Sequence, residues 1–148
     1  MMKQTIAAIT LAAVLPFSAL AQNQVPGQHF IENWDLDEDG QITLAEATQK
    51  RDDLFYMFDQ DENGTLDSAE YDLFDETRQA DMQANAGGHK KGPMKGVNQG
   101  LMRDYNDTDG NGDVSKQEFL NHTPDWFVQL DRNEDGVITT ADFGGRGQ

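Results

Sequence analysis

Residues 35–46 read DLDEDGQITLAE. Aspartates stand at the first, third and fifth places, glycine at the sixth and glutamate at the twelfth. Three further segments repeat the pattern: DQDENGTLDSAE at 59–70, DTDGNGDVSKQE at 107–118 and DRNEDGVITTAD at 131–142. The second begins 24 positions after the first, and the fourth 24 positions after the third, so the repeats come as two matched halves.

Oxygen ligands at alternate places suit a hard cation. Calcium takes six to eight oxygens at about 2.3–2.6 Å, mostly from carboxylates and carbonyls. In the first segment Asp35, Asp37 and Asp39 would aim side-chain oxygens inward. Gly40 would allow the sharp turn that follows. The carbonyl of Gln41 would then face the ion, and Ile42 would turn into a core and pair with its equivalent in another loop. Thr43 holds a place that often acts through water, and Glu46 could give both oxygens from the next helix.

Helices must present these loops. Phe30, Ile31 and Trp34 before the first loop, Leu54, Phe55 and Phe58 before the second, and Trp126, Phe127 and Leu130 before the fourth share one spacing. That spacing gives each entering helix one apolar face. The third is out of phase. Its apolar residues are Leu101, Met102 and Tyr105, and Asn106 stands where the others carry Trp, Phe or Leu.

On these residues the chain resembles the EF-hand calcium-binding superfamily, calmodulin-like proteins with a twelve-residue loop between two helices. The resemblance implies an all-α fold of helix-loop-helix repeats with short β-bridges between loops. It implies four ligand sets. The first is Asp35, Asp37, Asp39, the Gln41 carbonyl and Glu46. The second is Asp59, Asp61, Asn63, the Thr65 carbonyl and Glu70. The third is Asp107, Asp109, Asn111, the Asp113 carbonyl and Glu118. The fourth is Asp131, Asn133, Asp135, the Val137 carbonyl and Asp142. Ca2+ is the expected ion. Asp142 is one methylene shorter than glutamate, so the fourth site is expected to be weakest and the most open to Mg2+.

Composition fits a cation binder. The net charge is −16, and about half of the 27 acidic residues fall at ligand positions. Such a surface repels nucleic-acid phosphates and anionic membranes. A loop lined with aspartates is destabilised by like charge, so calcium is expected to drive part of the folding. No G-x-S-x-G, H-E-x-x-H or phosphate loop occurs and there is no cysteine, so catalysis is not expected. His29, His89 and His122 form no zinc spacing.

The first 21 residues read as a secretory signal: Lys3, an apolar run from Ile6 to Leu15, Pro16, and a small-residue cleavage site ending at Ala21. The expected location is therefore periplasmic or secreted. The expected organisation is a signal at 1–21, a pair of hands at 22–80, a flexible linker at 81–100 and a second pair at 101–148. The glycine-rich linker carries His89, Lys90, Lys91 and Lys95, which could also hold an anionic partner. Two roles stand: a sensor or adaptor that engages an envelope or extracellular protein, or a buffer or calcium-stabilised structural protein. Few methionines remain after the signal to line a promiscuous groove.

One spacing complicates the pairs. Only Ala47 to Phe58 separates the first loop from the second. One helix over that stretch would be about 18 Å long and would hold the loops at opposite ends. Each would then pair with a loop from the other half. A break in the helix would let a half pair locally, and Thr123-Pro124 offers such a break in the second half. Contacts between halves are the expectation, and the partner of Ile42 stays open.

Overall fold

The computed structural model describes residues 25–85 and 94–144. The expected signal, together with His89, Lys90 and Lys91, lies outside the described residues. The described residues form eight helices and two short strands, in chain order α1 Gln28–Trp34, α2 Leu44–Phe58, β1 Thr65–Leu66, α3 Ser68–Asn85, α4 Met94–Gln99, α5 Arg103–Asn106, β2 Val114–Ser115, α6 Lys116–Asn121, α7 Thr123–Leu130 and α8 Thr140–Phe143. This is the helical helix-loop-helix architecture expected from the repeats. None of the described helices is long and apolar enough to cross a membrane.

α2 decides the topology. Thr43 starts it with a capping box: its hydroxyl accepts from the Glu46 amide, and Glu46 reaches back to the Thr43 amide. No glycine or proline interrupts its 15 residues, and the helix runs unbroken through Asp52 and Asp53. At about 1.5 Å per residue, α2 holds the first and second loops about 22 Å apart. They cannot pair with each other.

Each loop finds its partner in the other half. Ile42 and Ile138 exchange both backbone hydrogen bonds, at 2.8 and 2.9 Å, and so join the first loop to the fourth. β1 pairs antiparallel with β2, placing Leu66 opposite Val114 and joining the second loop to the third. All four aliphatic residues are buried. The expectation of contacts between halves holds, and the division into a first pair and a second pair does not. The helix of the second half does break, between α6 and α7 at His122, with Pro124 in the first turn of α7. The break does not produce local pairing. α2 has already set the first two loops apart, and each draws one loop of the second half to its own end.

The core repeats this pairing. Phe30, Trp34, Trp126 and Phe143 form one aromatic group from the first and fourth hands. Phe55, Phe58, Tyr71, Phe74 and Phe119 form another from the second and third. The entering residues Phe30, Ile31, Trp34, Phe55, Phe58, Trp126, Phe127 and Leu130 are buried as their spacing predicts, while Leu54 is only partly buried.

The segment expected to be a flexible linker differs most. Residues 81–85 complete α3, and 94–99 form α4, which packs on α7. Val97 is buried, and the Trp126 indole donates to the Gly96 carbonyl at 3.0 Å. A Cβ on Gly100 would overlap the Trp126 ring. Gly96 and Gly100 therefore serve close helix packing. Glycine content alone reads as flexibility because the sequence does not show the indole that needs the space. Arg78 ties α4 to α3 through Asn98, and Arg103 reaches from α5 to Ser68 and Asp72 on α3.

Candidate metal centres

Each loop is wound by the same backbone bonds. The first aspartate accepts the amide of the fifth residue on one oxygen and the amide of the glycine on the other. In the first loop these are Asp39 to Asp35 Oδ1 at 3.2 Å and Gly40 to Asp35 Oδ2 at 2.7 Å. The pair recurs at Asp59, Asp107 and Asp131. The fifth residue then accepts the amide of the seventh: Gln41 to Asp39, Thr65 to Asn63, Asp113 to Asn111 and Val137 to Asp135. The third residues, Asp37, Asp61, Asp109 and Asn133, accept the amide of the fifth. Alternate side chains are thus turned to the same side by local hydrogen bonds. The seventh residues immediately precede Ile42, Leu66, Val114 and Ile138, so each carbonyl expected to face an ion sits beside a bridge.

The twelfth residue closes the ring. Glu46 Oε1 accepts from the Leu36 and Asp37 amides, while Oε2 accepts from the Thr43 amide. Glu70, Glu118 and Asp142 do the same in their loops. The ninth residue also caps the exiting helix. Thr43, Asp67, Ser115 and Thr139 each accept an amide of the first turn. This role was legible in the sequence, since Thr43-Glu46 and Ser115-Glu118 carry the capping-box spacing.

Three loops bring carboxylates to one point. Ligand oxygens of Asp35, Asp37 and Asp39 lie within 4.8 Å of one another, as do those of Asp59, Asp61 and Glu70, and of Asp107, Asp109 and Glu118. Oxygens about 2.3–2.6 Å from a shared ion span up to about 5 Å, so these sets fit one calcium each. The donors are all oxygen, which suits a hard cation rather than zinc or copper. Asp131, Asp135 and Asp142 make no such cluster among the described residues. Asp142 is 1% exposed, and its short side chain is drawn against the Arg132, Asn133 and Thr139 amides. Arg132 also donates to the Asp142 carbonyl at 2.9 Å, fastening the second residue of this loop to α8.

Charge in the loops is uneven. Desolvation and the neighbouring Asp39 hold the Asp37 carboxyl above its ordinary value. For Glu46 burial pushes upward, but the Thr43 amide and hydroxyl and the Leu36 and Asp37 amides together outweigh it and lower the group. Glu118 is lowered furthest, to about 2, chiefly by the Ser115 amide and further by the hydroxyls of Ser115 and Thr108. The third loop thus holds an ionised closing carboxylate across the whole physiological range.

A different group went unrecognised in the sequence. Arg51, in the polar stretch after the first loop, is fully buried, and burial lowers its guanidinium to about 10. It still carries its charge at neutral pH. Asn106, the polar residue in an apolar slot, is also fully buried and accepts from Arg51 Nη2 at 2.7 Å. The two irregularities are one contact. Tyr71 completes the cluster: its hydroxyl donates to the Leu101 carbonyl, and burial pushes it up to about 12. Elsewhere, His29 meets Asp81 at 3.1 Å and His122 packs on Tyr105.

A family model described as EF hand matches residues 51–74 and 125–144. The two matches fall on the second and fourth loops with their flanking helices, and they support placement in the EF-hand superfamily and calcium as the ligand. A search of the curated proteins finds no match to the chain.

Proposed function

We propose that the chain is an exported, non-enzymatic calcium-binding protein whose ions stabilise one compact fold, a buffer or structural protein in preference to a switch. The position of α2 carries this reading. A sensor exposes an apolar face by swinging the exiting helix of a hand away from the entering one. Here the exiting helix of the first hand is also the entering helix of the second. It bears Glu46 near one end and is capped by Asp59 at the other. Swinging it would uncover Phe55 and Phe58, and it would strip Arg51 of its carbonyl partners. The ligand roles proposed are those of the four sets above, with the first three loops strongest. The short, withdrawn Asp142 supports weaker binding and a larger share for Mg2+ at the fourth.

The sensor or adaptor reading draws support from Tyr56, Met57 and Val128, large apolar side chains that are each more than half exposed. A calcium titration by calorimetry, with magnesium competition and a parallel hydrophobic-dye measurement, separates the two. Calcium binding with unchanged or reduced dye fluorescence is expected. A calcium-induced rise in dye binding would overturn the structural role in favour of the sensor. No heat at millimolar calcium, or unchanged heat after Glu46→Gln and Glu70→Gln, would remove calcium binding itself. Export is tested separately by sequencing the N-terminus of the cellular protein, expected to begin at Gln22.

A further inference from the structure

Two buried residues bracket every loop, one just before its first ligand and one just after its last. They are Trp34 and Ala47, Phe58 and Tyr71, Asn106 and Phe119, and Leu130 and Phe143. The separation of each pair sets how far apart the first and twelfth ligands stand. In the first, second and fourth loops the leading member is apolar. In the third it is Asn106, and a side chain from another hand spans its bracket.

Arg51 Nη2 donates to Asn106 Oδ1 at 2.7 Å and to the Phe119 carbonyl at 2.6 Å, and Nε donates to that same carbonyl at 3.2 Å. Nη1 donates to the Gly100 carbonyl at 2.9 Å. The guanidinium carbon lies 4.2 Å from the centre of the Phe119 ring and 5.1 Å from that of Trp126. Among the described residues, no carboxylate is a hydrogen-bond partner of this guanidinium. Asn106 in turn donates to the Gly100 and Met102 carbonyls. One rigid, planar fork therefore grips the residue before Asp107 and the residue after Glu118 together. Charge-assisted bonds from such a fork fix a distance better than the flexible, point-charged lysine could.

We propose that Arg51 is a positioning residue of the third calcium site: held on α2, it fixes the two flanks of that loop at the separation at which Asp107 and Glu118 can share one ion. The proposal rests on the calcium reading given above. It also ties the third site to the helix that carries Glu46 of the first site and is capped by Asp59 of the second.

The test uses the full mature chain with Arg51→Met, Arg51→Lys and Asn106→Ala. The last removes only one arm of the clamp and guards against loss of the fold in the others. The amides of Gly40, Gly64, Gly112 and Gly136 each donate to the first aspartate of their own loop, so their NMR shifts report the four sites separately. In a calcium titration the Gly112 midpoint should move at least tenfold to higher calcium in all three variants. Those of Gly40 and Gly64 should move less than threefold. In calcium-free protein, hydrogen exchange at the Asp107 and Phe119 amides should speed at least tenfold in Arg51→Lys, with the Asp35 amide unchanged. Equal weakening at every glycine would show general support of the core and overturn the proposal, as would an unmoved Gly112 in folded variants. If no glycine of the unsubstituted chain responds to calcium, the calcium reading fails and the proposal falls with it.

Discussion

Ile42 and Ile138 are fully buried and exchange both backbone hydrogen bonds. In such an antiparallel pair the Cα atoms stand about 5.5 Å apart, inside the roughly 4.4–6.8 Å range that a disulfide spans. The natural chain has no cysteine, so two introduced ones can bridge only to each other within a monomer. Ile42→Cys with Ile138→Cys, refolded with calcium under mild oxidation, should cross-link almost completely. The smaller side chains cost about 1–2 kcal/mol each through lost burial, in reduced and oxidised forms alike. The bridge closes a ring of about 100 residues, which is worth about 4.7 kcal/mol in the chain-entropy account. At roughly 2–5 °C per kcal/mol for a chain of this size, the oxidised form should melt about 10–20 °C above the reduced one. The control is Ile42→Cys with Leu66→Cys, the pairing of neighbouring hands. α2 stands between the loops that carry these positions and is itself about 22 Å long, so monomeric cross-link should be absent. Non-reducing electrophoresis, thiol titration and thermal melts read the outcome. A monomeric bridge between 42 and 66, with none between 42 and 138, would refute the pairing across halves and the role given to α2.

Three further outcomes are expected. Gly100→Ala forces a methyl into the Trp126 ring and should cost about 2–3 kcal/mol; an unchanged melting temperature would detach α4 from α7. Glu118 has a folded value of about 2 against an ordinary 4.5, so its contribution is fully present above about 4.5 and is lost as pH falls toward 2. Side-chain NMR of calcium-free protein should place its midpoint near 2, and Ser115→Ala should raise that midpoint while costing about 1 kcal/mol of stability at pH 7 through the lost cap. Glu38, Glu62 and Glu134 occupy the fourth loop positions with φ near +60°, where the third loop has Gly110. Gly110→Glu should therefore cost about 1 kcal/mol in denaturant unfolding, and no loss would mean that this turn carries no backbone strain.

The loops were legible because a twelve-residue turn around a cation is a local problem. Its ligands, its glycine and the cap of its exiting helix lie within one window, so spacing alone placed Asp35, Asp37 and Asp39 together. The apolar faces of the entering helices were legible for the same reason. The topology was half legible. The short stretch from Ala47 to Phe58 predicted loops held apart, and an uninterrupted α2 holds them so. The partner of Ile42 lay 96 positions away, and no pattern within a window could name it. Gly96 and Gly100 failed for a related reason: a glycine that frees the backbone and a glycine that admits an indole look alike until the indole is in place.

Arg51 shows where local reading stops and what would have carried it further. Taken singly, Arg51 is a charge in the polar stretch after the first loop, and Asn106 is a polar residue in the apolar slot of an out-of-phase helix. α5 is short because it begins late, at Arg103; it ends at Asn106, in the same place as the other entering helices. Each reading treats its residue as a local weakness. Together they describe a buried cation and the neutral oxygen that receives it. Burying an unpaired charge is costly unless hydrogen bonds satisfy it, so a buried arginine must find acceptors on neighbouring elements. Asn106 breaks the pattern of its three equivalents, Trp34, Phe58 and Leu130, and so was the signal that one acceptor stood there. The exchange of an apolar contact for a charged fork explains why the third hand departs from the repeat at its helix while keeping every ligand of its loop.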